Sequence, residues 1–273
     1  MRKRIRLVVV VGFLFLPITG AYAQSLEVLT PQVKPGGLVV VKILSFQVDN
    51  ETGLLIFETI YQPNKDGFVF VGVPLSTKPD SYIMYLVNRF SEERIDWGYQ
   101  ELKVVPTQIK VRPSDGVTKP SRRRKKETSA IAAAYQKANH TEFYAEKSFR
   151  TPLLKMFITS DFAINHGGVD LRASFGTKVS TINSGRVIMT AKKFSLEGNM
   201  VIIDHGSGIF SYYLHLSRIK VREGQMVNVG QVVGLSGATG DVHGPHLHLA
   251  VKVNGTNIDP LAFINGFDGD MNR

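Results

Sequence analysis

The 273-residue chain contains no cysteine. This excludes disulfide-stabilised scaffolds, thiolate zinc sites, iron–sulfur clusters and cysteine nucleophiles. The His-Glu-x-x-His helix motif, in which a glutamate serves as general base beside two metal-binding histidines, is also missing from the sequence. Any metal site must therefore use histidine, aspartate or glutamate in some other arrangement.

The composition is that of a globular protein, with 43% hydrophobic residues, 16 phenylalanines and 9 tyrosines available for cores. The formal net charge of +10 would suit a nucleic-acid-binding protein. However, the first 23 residues carry four basic and no acidic side chains, and a run at 122–126 adds five more basic residues. Because the excess positive charge is local, we expect no nucleic-acid partner.

Residues 1–23 have the pattern of a secretory signal peptide. Four basic residues precede an apolar stretch at 7–20, and Ala21-Tyr22-Ala23 provides a small-residue cleavage site. A permanent anchor is the alternative, but a membrane-spanning helix needs roughly 20 apolar residues, and this stretch is shorter and contains Pro17. We expect cleavage after Ala23 and a periplasmic or otherwise extracytoplasmic protein with no stable membrane span.

The rest of the chain is predicted to be all-β. Short apolar runs separated by Pro, Gly, Asn and Asp indicate a β-sandwich-like N-terminal domain at 24–112. A polar, basic segment at 113–148 is predicted to be an exposed linker with a short alanine-rich helix at 130–135. We interpret its basic run as a solvated hinge. Two alternatives are that the run contacts an anionic cell-wall polymer or lipid, or that the segment occludes a binding groove. Glycine-punctuated strand patterns return at 149–273 and predict a second β domain, built on an antiparallel sheet.

Six of the seven histidines lie between 166 and 248. His166 and Asp170 are four residues apart, and the two glycines after His166 indicate a loop that enters a strand. In the segment from His246 to Val253, strand alternation places His246 and His248 on one face, about 7 Å apart, with the apolar residues on the other. The same alternation predicts that Phe210, Tyr212, Leu214 and Leu216 share one face while Tyr213 and His215 share the other.

These motifs resemble the catalytic domain of the lysostaphin/LytM-type zinc metallopeptidases, which carry His-x-x-x-Asp early and His-x-His late. The resemblance covers about 149–260 and extends to segments that include the following: His166-Gly-Gly-Val-Asp170-Leu, Gly198-Asn-Met-Val-Ile-Ile-Asp-His205-Gly, Tyr213-Leu-His215-Leu, and Gly244-Pro-His246-Leu-His248. The family fold is antiparallel β, in agreement with the strand patterns.

The resemblance implies that His166, Asp170 and His248 bind Zn²⁺ and that His246 and His215 are the catalytic pair. Two nitrogens and one oxygen leave the fourth tetrahedral position of zinc open, as in catalytic sites. The His-Glu-x-x-His glutamate base is absent, and an imidazole can take its role; His246 is our first choice. His215 is assigned to stabilising the oxyanion or to positioning water. His205 is interpreted as structural, and His243 either reaches the cleft or lies on the surface.

The sequence departs from the family pattern in the short loop between Thr159 and His166, where relatives carry a longer loop with an arginine. We expect this end of the cleft to be open. The resemblance implies an exported, zinc-dependent endopeptidase that hydrolyses peptide cross-links of peptidoglycan through zinc-activated water, with stem peptides as substrate. D-alanyl to meso-diaminopimelate bonds are favoured over glycine bridges. The alternative is a non-catalytic LytM-domain protein that docks on another cell-wall hydrolase.

Overall fold

The computed structural model describes residues 25–44, 51–95, 99–112, 120–138, 141–146 and 148–267. The predicted signal peptide and His140 lie outside these ranges. Within them, the chain consists mostly of β-strands with two short helices. The predicted fold class is therefore confirmed. No helix of the described residues is long and apolar enough to cross a membrane.

The N-terminal residues form two small sheets around a shared core. Their strands are β1 (Ser25–Val28), β2 (Gln32–Val33), β3 (Leu38–Leu44), β4 (Thr52–Ile56), β5 (Thr59–Tyr61), β6 (Phe68–Gly72), β7 (Asp80–Asn88) and β8 (Gln100–Val104). One sheet has the order β1-β3-β6 and the other β2-β8-β7-β4-β5. Apolar side chains from both sheets meet in one cluster between them.

Strands β3 and β6 are buried on both faces, which explains their unbroken apolar sequences. Val39 and Val41 point into the core between the two N-terminal sheets. The alternate residues Val40, Phe68 and Phe70 instead join the core of the C-terminal domain. Because side chains alternate along a strand, this three-stranded sheet packs against partners on both sides and holds the two domains together.

The segment predicted to be an exposed linker is packed against the C-terminal domain. Helix α1 (Arg122–Tyr135) begins at the basic run, eight residues earlier than predicted, with the Ser121 side chain accepting a hydrogen bond from the Arg124 N–H at 3.1 Å. Ala134 joins an apolar cluster on the outer face of the main sheet. The interpretation of the basic run as a hinge is therefore wrong, because the run forms the first turn of α1 and two of its side chains, Arg123 and Arg124, have partners on the neighbouring hairpin. The other three basic side chains of the run are exposed.

The C-terminal domain contains the remaining strands and one helix. They are β9 (Ile158–Ser160), β10 (Val169–Arg172), β11 (Lys178–Ser180), β12 (Gly185–Phe194), β13 (Gly198–Asp204), β14 (Ile209–Leu214), β15 (Arg218–Ile219), β16 (Met226–Val227), β17 (Val232–Leu235), β18 (His246–Val253), β19 (Thr256–Ile258) and α2 (Pro260–Gly266). The main antiparallel sheet has the order β16-β12-β13-β14-β18-β10-β9, with β19 paired to β18. A second sheet, β11-β17-β15, contributes Val179 and Val233 to the same core.

Candidate metal centre

The metal-binding residues predicted from the sequence meet on the outer face of the main sheet, where β10 lies beside β18. Alternation along β10 sends Val169 and Leu171 into the core, so Asp170 points to the opposite face. In the antiparallel register, Asp170 lies directly across from His248 and Arg172 lies across from His246. His246 and His248 therefore share one face, as predicted, and the Asp170 carboxylate lies on the same face.

His166 reaches this face from the turn that precedes β10. Asn165 and Gly167 both adopt left-handed φ angles, 69° in each case, which reverses the chain immediately before the strand. The Nδ1–H of His166 donates to the Asp161 carbonyl at 2.7 Å. This bond fixes the ring and leaves the Nε2 lone pair directed at Asp170.

One ligand atom from each of His166, Asp170 and His248 can be chosen so that all three lie within 4.8 Å of one another. Asp170 Oδ1 is 3.0 Å from His166 Nε2 and 2.8 Å from His248 Nδ1. Zinc bonds of 2.0–2.2 Å at tetrahedral angles separate neighbouring ligand atoms by about 3.3 Å. The two separations that involve Asp170 Oδ1 are therefore within about 0.5 Å of those expected in a zinc site.

A buried nitrogen atom without a hydrogen-bond partner is a second observation that fits a zinc site. His166 Nε2 is buried and has no hydrogen-bond partner among the described residues, although it faces a carboxylate oxygen. With its proton on Nδ1, the neutral ring directs a lone pair at the lone pairs of Asp170, so a proton or a cation is needed between them. Buried polar atoms without partners are rare in proteins, and a metal ion satisfies this one.

The charge state of the cluster depends on its close contacts. Burial alone would raise the pKa of Asp170, but when no metal is bound, hydrogen bonds and positive charge from the protonated rings of His166 and His248 outweigh it and hold the pKa well below its ordinary value. For His166, burial is again opposed by Asp170 and by the Asp161 carbonyl, and the net effect raises the pKa. Burial lowers the pKa of His248. An ionised carboxylate beside a neutral His248 is the form that binds a divalent cation.

His215 does not lie where strict alternation predicts. Tyr213 and Leu216 both point into the inner core, whereas Phe210 and Tyr212 lie on the outer face. The prediction that Leu216 shares a face with Phe210 is therefore wrong. Strand β14 ends at Leu214, and His215 has a left-handed φ of 62°, which turns its side chain away from the inner core and toward the other histidines.

His215 and His246 form a pair beside the metal ligands, with ring centroids 4.8 Å apart. The Nδ1–H of His215 donates to the Thr239 carbonyl at 2.9 Å, and the Nδ1–H of His246 donates to the Gly244 carbonyl at 2.9 Å. Both Nε2 atoms are left with lone pairs. Burial lowers the pKa of His215 to about 4, so this ring is neutral near pH 7.

Gly168 provides the space for the His248 ring. A Cβ atom at this position would lie 2.6 Å from His248 Nε2 and 2.5 Å from the Leu249 carbonyl oxygen. Ordinary contacts of a Cβ atom begin at about 3.4 Å. The second glycine of the His-Gly-Gly motif is therefore required by the ring of a metal ligand.

Two arginines border the site and were not predicted from the sequence. Arg112 Nη1 lies 3.5 Å from Asp170 Oδ2, because residues 110–112 run alongside Ile164 and exchange backbone hydrogen bonds with it. Arg112 therefore borders the end of the cleft next to the short loop. Arg172 is exposed on the site's face of β10, and its guanidinium has no hydrogen bond or ion pair within the described residues.

Two further histidines, His205 and His243, lie within the described residues. His205 is fully buried, with Nδ1 2.8 Å from the Ser184 carbonyl and Nε2 2.8 Å from Ser211 Oγ. These contacts agree with the structural role predicted for it. His243 is exposed at the surface.

A model of "Peptidase family M23" matches residues 164–260. The peptidoglycan DD-endopeptidase ShyA of Vibrio cholerae is 45% identical to this chain over 96 residues, which are 35% of this chain and 22% of ShyA. The peptidoglycan DD-endopeptidase ShyB of the same organism is 39% identical over 98 residues, which are 36% of this chain and 23% of ShyB. The matched part thus spans about a fifth of the length of these curated relatives.

The fold is similar to that of a solved structure from Pseudomonas aeruginosa described as a peptidase M23. The two structures superpose with a TM-score of 0.64 at 29% sequence identity, over 85% of this chain and 95% of the other. The similarity therefore includes much of the N-terminal region as well as the domain that carries the histidines.

Proposed function

We propose that the chain, whose residues 164–260 match a model of peptidase family M23, is an exported zinc endopeptidase that cleaves peptide cross-links in peptidoglycan. The observation that carries the proposal is the cluster of His166, Asp170 and His248, with its buried, unpartnered Nε2 atom and two further histidines at its side. A metal held by three protein ligands with a catalytic base nearby is the arrangement of a hydrolytic zinc site.

The metal would be bound by His166 Nε2, Asp170 Oδ1 and His248 Nδ1. When bound, zinc supplies a Lewis acid that polarises a carbonyl group and lowers the pKa of water. The chain contributes the fixed geometry of the three ligands, since the Asp161 carbonyl holds the His166 ring and the cross-strand register holds Asp170 opposite His248.

We assign the general base to His246 Nε2. Its Nδ1 proton is already donated to the Gly244 carbonyl, so Nε2 is free to accept a proton from the attacking water. Burial lowers the pKa of His215 to about 4, which makes this ring a poor general base at neutral pH. As a neutral ring whose Nε2 carries a lone pair, His215 is suited to accept a hydrogen bond from that water. This tautomer favours the water-positioning role over the oxyanion-stabilising role.

The substrate is proposed to be a stem peptide with D-alanyl to meso-diaminopimelate cross-links. ShyA and ShyB are named peptidoglycan DD-endopeptidases, and both align with this domain. The guanidinium groups of Arg112 and Arg172 favour a substrate with free carboxylates, which stem peptides carry along their length and a glycine bridge does not. Residues 1–23 carry the export pattern that would bring the protein to this substrate.

Purified cross-linked muropeptide dimers and pentaglycine, incubated separately with the zinc-loaded protein, test this function. We expect dimers to be converted to monomers and pentaglycine to remain intact. Cleavage of pentaglycine alone would contradict the substrate assignment. If neither substrate is cleaved by a protein that contains zinc, the alternative of a non-catalytic regulator of another hydrolase is favoured.

A further inference from the structure

The N-terminal, basic end of helix α1 forms hydrogen bonds and an ion pair with the turn between β12 and β13. The buried Glu127 carboxylate accepts hydrogen bonds from Ser195 N–H at 2.9 Å, from Ser195 Oγ, and from Arg123 Nε at 2.9 Å. Two residues further along this turn, Arg124 Nη1 donates to both carboxylate oxygens of Glu197, at 2.6 and 2.7 Å. The helix thus holds residues 195–197 at two points.

The same turn holds the backbone of His215. The Glu197 carbonyl accepts a hydrogen bond from the His215 N–H at 3.0 Å. The residue whose side chain is fixed by Arg124 therefore also fixes the main chain at the point where β14 ends. His215 has a left-handed φ of 62°, a conformation that costs non-glycine residues about 1 kcal/mol or more and persists only where neighbouring contacts enforce it.

The ring of His215 is held through the same hairpin. Its Nδ1–H donates to the Thr239 carbonyl, and Thr239 Oγ1 accepts the Asn199 N–H at 2.9 Å. Gly198 packs so closely on Thr239 that a Cβ atom there would lie 2.3 Å from the Thr239 carbonyl. Both contacts of His215 therefore lead back to residues 197–199, next to the salt bridge with Arg124.

We propose that Arg124, by fixing Glu197, is a positioning residue for His215. Helix α1 would then contribute to catalysis by holding His215 in place. The inference rests on the proposed function of His215 and extends it to a helix outside the M23 match. The pair is well placed for this role, because the side chains of Arg124 and Glu197 are only 27% and 10% exposed. Ion pairs shielded from water to this degree hold their geometry better than surface pairs.

A purely structural role for α1 is the competing explanation. Ile131, Ala134 and Tyr135 cover apolar residues of the main sheet and would stabilise the domain whether or not the helix affected catalysis. The two explanations make different predictions, since a structural role lowers the fraction of folded protein while a positioning role lowers turnover in protein that is fully folded.

The test compares Arg124→Ala with Arg124→Lys and with Lys126→Ala, an exposed control on the same helix. Turnover of muropeptide dimers is measured together with zinc content and Tm. We expect Arg124→Ala to lower kcat about tenfold, with KM and zinc content unchanged and the Tm above the assay temperature. Arg124→Lys should recover most of the loss because it restores the charge, and Lys126→Ala should match the wild type.

A double-mutant cycle with His215→Ala separates the two explanations. If Arg124 acts through His215, then Arg124→Ala has no further effect on kcat once His215 is removed. Additive losses in kcat, or an unchanged kcat in Arg124→Ala while His215→Ala is inactive, would overturn the positioning role and leave the proposed function intact. A fully active His215→Ala protein would instead refute the assigned function of His215, and the positioning role with it.

Discussion

Replacing Gly168 by alanine should displace the ring of the metal ligand His248 and weaken zinc binding. The added Cβ would lie about 0.9 Å inside ordinary contact distance of the Leu249 carbonyl and about 0.8 Å inside that of His248 Nε2. Gly168 does not have a left-handed φ, so the effect arises from crowding and not from backbone strain. Crowding of this kind costs about 1–3 kcal/mol in a packed interior.

The His248 ring can move more easily than the Leu249 carbonyl, because the backbone of β18 is held by hydrogen bonds to strands on both sides. We therefore expect the ring to move, and we expect zinc affinity to fall by about 10–100-fold, as it does when groups that orient a ligand are removed. Competition with a fluorescent chelator measures the affinity. Gly244→Ala is the matched control, since a Cβ at that position meets no atom within 4 Å. Wild-type zinc affinity in Gly168→Ala would refute the argument.

Three further predictions follow from individual residues. His246→Ala should retain zinc but lose about 10²–10⁴-fold in kcat on muropeptide dimers, because a general base is removed; a near wild-type rate would exclude that role. Arg172→Ala should raise KM for dimers with free carboxylates but not for dimers whose carboxylates are amidated, and equal effects on both would argue against carboxylate recognition. Burial lowers the pKa of His205 to about 4 in the folded protein. Between pH 6.5 and 4, His205 is therefore protonated in the unfolded chain but neutral in the folded one, so lowering the pH favours unfolding. The free energy of unfolding should fall by about 2 kcal/mol from pH 7 to pH 5. Urea denaturation at both pH values checks this, and His205→Gln should show a smaller loss than the wild type.

Strand alternation predicted that His246 and His248 share a face, and the family resemblance implied that His166 and Asp170 belong to the same site. Period-two alternation is reliable in β10 and β18 because both strands have an apolar inner face that sets their register. His215 could not be placed in this way, since it follows the end of its strand and its direction depends on a single left-handed residue. Arg172 could have been found by continuing the alternation from Asp170, whereas Arg112 is brought to the site by a tertiary contact that leaves no local pattern.

The helix at the basic run shows a second limit of reading a sequence locally. Five consecutive basic residues at 122–126 resemble a solvated segment when considered alone. Arg123 and Arg124 bind Lys193 and Glu197 of the hairpin, which are about 70 residues away in the chain, and no local sequence pattern indicates these contacts. Composition predicted the charge of this segment correctly, but only the tertiary structure shows which part of it is neutralised.

The zinc content of the purified mature protein, measured by mass spectrometry for the wild type and for His248→Ala, tests the central claim most directly. We predict one zinc per wild-type chain and an almost metal-free variant, since the two remaining ligands, His166 and Asp170, would not retain the ion. Full zinc occupancy in His248→Ala, or a wild-type protein that binds no zinc, would contradict the assigned site.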